Sequence, residues 1–429
     1  MSETQRRLQR LRAQAAGLIF YSGVLEAPAG QAFLQLLDAL IQQQPIAAVS
    51  AYSSWLRSLL SDRQSWPQWL MRAIRSDDNQ FSRWAQFGTH SPLPELWQPI
   101  VRHDLQTLQQ LAEINPSLLA PMVQAIGNLP ALPPCHLEAP RDREAQWAAM
   151  EDWAELLPKL VQHYQRRGVG LFHHYWALRW QQGQLQGIEH PDPVALSDLA
   201  GYEFQKETLK RNTEFLLAGL PAQNVLLYGS RGAGKSSLVK ALVNAYGDRG
   251  LRLIEVGKAD LQALPQILDR LRESALRFII FVDDLSFEDD DETFKALKVV
   301  LEGSLTARPP NVAVYATSNR RHLVREYFDE RPNPTEAKEV HAWDSVQEKL
   351  SFSDRFGLTL TFEPVDQDTY LAIVRHLANE VGLTLPSETL EFRAKQWATR
   401  HNGRSGRTAR QFMDWLIAEQ GLPNSLEND

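Results

Sequence analysis

The sequence predicts an α/β protein: a parallel five-stranded sheet set between an all-α N-terminal region and a small helical C-terminal lid. Three observations point there. From about Leu196, short apolar runs bounded by turns alternate with helix-length segments, the pattern of a parallel sheet. A glycine-rich loop joins the first of those runs to the helix after it. On both sides of this stretch, apolar residues recur at i, i+3 and i+4, the spacing of amphipathic helices. At roughly 150 residues per domain, 429 residues imply more than one core. The expected division is a helical region over 1–192, in one or two subdomains, an α/β core over 196–366 and a lid over 367–429.

The N-terminal helices are read from QAFLQLLDALI, HDLQTLQQLAEI and REAQWAAMEDWAELLPKLVQHY. The proline-rich GNLPALPPCHLEAP, around Pro130 to Pro140, breaks them into two groups. Nine of the twelve tryptophans fall here, including Trp55, Trp66, Trp69, Trp84 and Trp176. Such clustering can mark a partner surface, but tryptophan on helical faces reads more simply as packed core. No repeat period is visible.

The five expected strands are NVLLY, RLIEV, FIIFV, NVAVYAT and LTLTF, with KSSLVKALVNAY and LPQILDRLRES among the covering helices. The lid is read from QDTYLAIVRHLANEVG, SETLEFRAKQWATR and GRTARQFMDWLIAEQ.

The single cysteine, Cys135, rules out an internal disulfide and a cysteine zinc cluster, which suits a reducing compartment, by default the cytoplasm. The polar start MSETQRRLQRLRAQ lacks the form of a signal peptide, and no apolar run reaches bilayer length. A formal charge of −7 gives no global attraction to nucleic acid, though a local basic groove stays open.

The strongest chemical signal is Gly229-Ser230-Arg231-Gly232-Ala233-Gly234-Lys235-Ser236, a complete GxxxxGKS followed by Ser237, with a strand before it and a helix after it. Its glycines let backbone N–H groups turn inward around phosphates, and the helix N-terminus favours negative charge. Lys235 then neutralises the β and γ phosphates while the Ser236 hydroxyl ligates magnesium. The run Phe278 to Val282 ends in Asp283 and Asp284. Asp283 fits the magnesium-holding position, and Asp284 fits that of a carboxylate polarising the attacking water. The acidic cluster Glu288 to Glu292 reads as a solvated face.

With these residues in place, the region from about Gly201 to Phe412 resembles an AAA+ ATPase core with its lid. It is similar to an uncharacterised, DUF815-like bacterial branch, through LLYGSRGAGKSSLVKAL, FVDDLSF, YATSNRRHL, EKLSFSDRFG and SGRTARQF. The resemblance implies ATP and magnesium as cofactors and a homo-oligomer as the working form. It also implies that Asn319, ending NVAVYATSN, senses the γ-phosphate and orients the water, and that Arg355 projects into a neighbouring subunit's site. A second sensor arginine is implied at Arg407, with Arg410 one helical turn later as the alternative. Arg320 and Arg321 are left without a role.

The function expected is an ATPase that remodels or loads a macromolecular client selected by the N-terminal helices. The alternative is a slowly hydrolysing nucleotide switch. A small-molecule kinase is opposed by the Asp-Asp pair, by Asn319 and by the helical lid. Nucleic acid stays open as a client, although neither a helix-turn-helix nor an aromatic-basic platform is evident.

Overall fold

The computed structural model describes residues 3–87, 93–114, 116–129, 143–286, 297–298, 301, 308–319, 355–383, 385–401 and 403–421. Contacts divide the chain into two compact units, Met1–His174 and Tyr175–Asp429. Among the described residues, no helix is long and apolar enough to cross a membrane.

The first unit is helical: α1 Glu3–Ala16, α2 Pro28–Ile41, α3 Pro45–Asp62, α4 Trp66–Ser76, α5 Gln80–Gln86, α6 Trp97–Ala112, α7 Pro116–Gly127, α8 Arg143–Ala148, α9 Leu157–Arg167 and α10 Gly170–His174. Proline sits in the first turn of α2, α3, α4 and α9, where its missing N–H has no helical partner to lose. The tryptophans supply core. Trp55 and Trp66 are fully buried and meet edge to face at 5.3 Å, with Phe33 at 4.7 Å from Trp66. One buried carboxylate ties down the chain after α1: Asp104 accepts the backbone N–H groups of Ile19, Phe20 and Tyr21 at 3.0, 2.7 and 3.1 Å. The break around Cys135 lies outside the described residues.

In the second unit, β1 Ala177–Gln181, β2 Gln184–Gly187, β3 Val225–Gly229, β4 Leu251–Glu255, β5 Arg277–Val282, β6 Val312–Ser318 and β7 Leu358–Phe362 form one sheet in the order β2-β1-β4-β5-β6-β3-β7. All neighbours run parallel except β1 and β2. The five expected strands are β3 to β7. The expectation of five is corrected to seven, because a hairpin lies inside the stretch read as helical and places β1 on the edge of β4. The first unit accordingly ends near 174 rather than 192. The hairpin has weak sequence signals: ALRWQ and QLQG carry few β-branched residues, and its turn uses Gln182 and Gly183, both at positive φ.

Helices α11 Glu203–Leu217, α12 Lys235–Tyr246 and α13 Leu264–Arg272 accompany the sheet. β3 pairs with β6 on one side and β7 on the other, while the chain leaving β3 travels to β4, beyond β5. That reversal leaves a crevice at the carboxyl ends of the central strands, where open α/β sheets bind ligands. The lid is α14 Gln367–Glu380, α15 Ser387–Arg400 and α16 Gly406–Gly421, packed on its own core of Tyr370, Val374, Ala394, Phe412 and Leu416.

Candidate functional site

A cavity of about 690 Å³ opens at that crevice, floored by the loop between β3 and α12 and walled by α16. The loop has one backbone geometry available. Gly229 has φ of 137°, and a Cβ there would lie 1.9 Å from the Phe362 carbonyl oxygen, so no side chain fits. The next residue, Ser230, donates its N–H to that same carbonyl at 2.9 Å, pinning the loop to β7. Residues Arg231 to Ser237 line the cavity. Gly229 and Ser230 sit behind it, and their carbonyls accept Lys235 Nζ at 2.9 and 2.8 Å.

Lys235 also donates to Asn319 Oδ1 at 3.2 Å. Burial lowers the Lys235 pKa, the nearby Asp283 and Asp284 carboxylates oppose that shift, and Arg407 adds to it. One residue on, the Ser236 hydroxyl donates to Asp283 Oδ1 at 2.6 Å. The other end of Asn319 donates from Nδ2 to Asp284 Oδ1 at 2.7 Å. Five predicted side chains from three elements thus form one cluster on the cavity floor, its two halves joined by the Asp284 N–H, which donates to Asp283 Oδ1 at 3.2 Å. Asp284 itself is held in the left-handed region at φ of 50°, a conformation aspartate tolerates better than most residues.

Arg407 and Arg410 both line the cavity from α16, as do Gln411 and Asp414. Arg407 is anchored at its backbone, where its N–H reaches the Gly232 carbonyl at 3.2 Å. Among the described residues neither arginine has an ion-pair partner, nor does Arg231. Arg355 stands apart. It is absent from the cavity lining and lies three residues before β7, whose other end, Phe362, is the one that touches the loop. Glu288 to Glu292, Arg320, Arg321 and Asp354 lie outside the described residues.

The structure adds residues the sequence did not single out. Leu199 and Tyr202, from the segment leading into α11, line the cavity together with Ile373 and Leu377 of the lid, and these four give it an apolar part. No periodicity marks that segment. Thr317, buried at the end of β6, donates to Asp283 Oδ1 at 2.5 Å. Its position inside the quoted run YATSN was the available signal.

A parallel sheet with this strand order, a GxxxxGKS loop at its switch point and a helical lid define the AAA+ class of P-loop fold. The chain belongs to the family described as "Protein of unknown function (DUF815)", whose model matches residues 173–420, more than half of the chain. Among solved structures it is similar to the Thermotoga maritima RuvB Holliday junction branch migration motor, at 16% identity and a TM-score of 0.32, covering 54% of this chain and 75% of that one. A point variant of the same motor matches at 15% identity and a TM-score of 0.32, covering 52% and 72%.

Proposed function

We propose that this chain is a magnesium-dependent ATPase that works as an oligomer. The observation that carries the reading is the cluster of Lys235, Ser236, Asp283, Asp284 and Asn319 on the floor of a cavity large enough for a nucleotide. A glycine-rich loop, a helix N-terminus and Arg231, Arg407 and Arg410 in the lining give the cavity the potential a polyphosphate requires.

The donor set fits a divalent cation: the Ser236 hydroxyl and the Asp283 carboxylate are hard oxygen ligands side by side, with Oγ 2.6 Å from Oδ1, next to the phosphate loop. Bound there, magnesium would neutralise charge on the phosphate oxygens. Lys235 turns from the Gly229 and Ser230 carbonyls toward the β and γ phosphates. Arg407 and Arg410 close on the triphosphate from the lid, and Leu199 and Tyr202 cover the base. Asp284 accepts a proton from the attacking water, and Asn319 orients that water while holding the carboxylate. Arg355, which does not line its own cavity, serves a neighbouring subunit. The first unit selects a protein client, and the reducing cytoplasm suits the lone cysteine.

One observation favours the slower, switch-like variant. The Asp284 side chain is short and already bonded to Asn319, so it must reorient before it can reach a water. The test is a titration with a fluorescent ATP analogue, with and without magnesium, alongside phosphate release. Saturable magnesium-dependent binding is expected, and its absence in the full chain would remove the reading.

A further inference from the structure

Thr317, the last residue but one of β6, is unusual for that strand. The preceding residues of that strand are Val312, Ala313, Val314, Tyr315 and Ala316, all fully buried, and Thr317 is 2% exposed. Packing alone would be met by valine, which has the same shape, so the hydroxyl calls for a separate reason. Its surroundings supply one. Thr317 Oγ1 stands 2.9 Å from the backbone nitrogen of Asp284 and 2.5 Å from Asp283 Oδ1. The amide can only donate, so the hydroxyl accepts from it, and the hydroxyl proton is directed to the Asp283 carboxylate. The Thr317 carbonyl in turn accepts the N–H of Leu285 at 2.7 Å. A single residue therefore holds three successive positions of the turn leaving β5, including Asp284 in its left-handed conformation.

The bonds from Ser236 and Thr317, and a longer one from the Asp284 amide at 3.2 Å, all converge on Asp283 Oδ1. Among the described residues no donor reaches the other oxygen, which leaves Oδ2 for the cavity.

We propose that Thr317 is a positioning residue: its hydroxyl fixes the Asp283 carboxylate opposite Ser236 and so sets the affinity of this site for the divalent cation that accompanies the nucleotide. The inference rests on the nucleotide reading above. Partners of metal-binding groups typically contribute about 10- to 100-fold in metal affinity.

The experiment measures binding of a fluorescent, non-hydrolysable ATP analogue to the full chain, first in EDTA and then across a magnesium titration. Thr317→Val should bind the analogue in EDTA within about twofold of wild type, while its half-saturating magnesium rises about tenfold or more. Thr317→Ser, which keeps the hydroxyl, should restore the wild-type magnesium dependence. The proposal is overturned if Thr317→Val titrates with magnesium as wild type does, if Thr317→Ser is as impaired as Thr317→Val, or if binding in EDTA falls by the same factor. Should Thr317→Val not fold, Thr317→Ala and Thr317→Ser both lack the methyl and differ only in the hydroxyl, and the same criteria apply to that pair. An unfolded Thr317→Ala beside a folded Thr317→Ser would also overturn it, because the hydroxyl would then support the fold. These failures differ from failure of the ATP reading, in which wild type itself shows no magnesium-dependent binding and both ideas fall together.

Discussion

Asn319 bridges Asp284 and Lys235: its Nδ2 donates to Asp284 Oδ1 at 2.7 Å while its Oδ1 accepts from Lys235 Nζ at 3.2 Å. The group proposed to bind phosphate and the group proposed to act on water are therefore joined through one amide. A phosphate that draws Lys235 away would break the Lys235–Asn319 bond and let the amide and its carboxylate readjust together. Asp284→Asn should bind ATP within about threefold of wild type, because Ser236 and Asp283 are untouched, while turnover falls about 100-fold or more with the loss of the proton acceptor. Unchanged turnover would point to another base, and Glu288 would be tested next.

Lys235→Ala removes the buried cation and leaves the Gly229 and Ser230 carbonyls without the ammonium they accept from. Two charge-assisted hydrogen bonds to phosphate, at about 1.5 to 3 kcal/mol each, correspond to a loss of affinity of about 100-fold or more. Calorimetric titration with the same ATP analogue checks it. Near-normal affinity would mean that the loop does not cradle phosphate.

The first unit carries a titration of its own. Burial pushes the Asp77 carboxyl up from 3.8 to about 6, against the bond it accepts from Asn79 Nδ2 at 2.6 Å, and Asp78 and Glu26 push the same way. The native state then holds a proton that the unfolded chain has released between about pH 4 and 6, so stability falls as pH rises through that window. The cost above pH 6 is up to about 3 kcal/mol. Asp77→Asn should lack this slope and gain stability relative to wild type as pH rises. Urea unfolding at pH 4 and pH 7, followed by tryptophan fluorescence, measures the difference; parallel profiles for the two proteins would refute it.

How far these features could be read from the sequence depends on the kind of signal each left. The GxxxxGKS run was legible because glycine, lysine and serine at fixed spacing serve one backbone shape, and Gly229 against Phe362 shows why nothing else fits. β3 to β7 were legible as apolar runs between turns, since strands buried on both faces need no alternation. The β1–β2 hairpin was not, because its stability comes from packing Trp180 and pairing with β4 rather than from local preference. Tyr202 and Leu199 reach the cavity only through tertiary placement. Thr317 was in plain view, but its hydroxyl gains meaning only once β5 and β6 are side by side.

The hairpin sets the boundary for dissection. A fragment from Tyr175 keeps β1, with Leu178 and Trp180 buried beside β4. A fragment beginning at Leu196 loses both side chains and bares the β4 edge. Removing a buried tryptophan alone typically costs about 3 to 5 kcal/mol, so the shorter fragment should unfold at lower temperature or aggregate through its open edge. The longer one should melt cooperatively and bind the ATP analogue as the full chain does. Equal stability of the two would show that the hairpin is an accessory to the sheet.

Arg355 provides the sharpest test of the proposed action between subunits. It is half-buried three residues before β7 and does not line the cavity, so truncating it is expected to leave nucleotide binding in the same chain intact. Arg355→Ala should therefore bind ATP as wild type does but lose about 1000-fold or more in turnover, the range for a guanidinium supplied across an interface. Mixing Arg355→Ala with Lys235→Ala decides between the readings. Each variant is inactive alone, the first lacking the arginine and the second the phosphate cradle. In a mixed assembly, some interfaces pair an intact Lys235 from the Arg355→Ala chain with an intact Arg355 from the Lys235→Ala chain, and at equal amounts about a quarter of the wild-type activity should return for random pairing across independent interfaces. No recovery in assemblies shown to be mixed would make Arg355 a structural residue of the β7 edge. An ATPase that stays monomeric at every concentration and in every nucleotide state would exclude action across subunits, and the switch-like reading would then replace the oligomeric one.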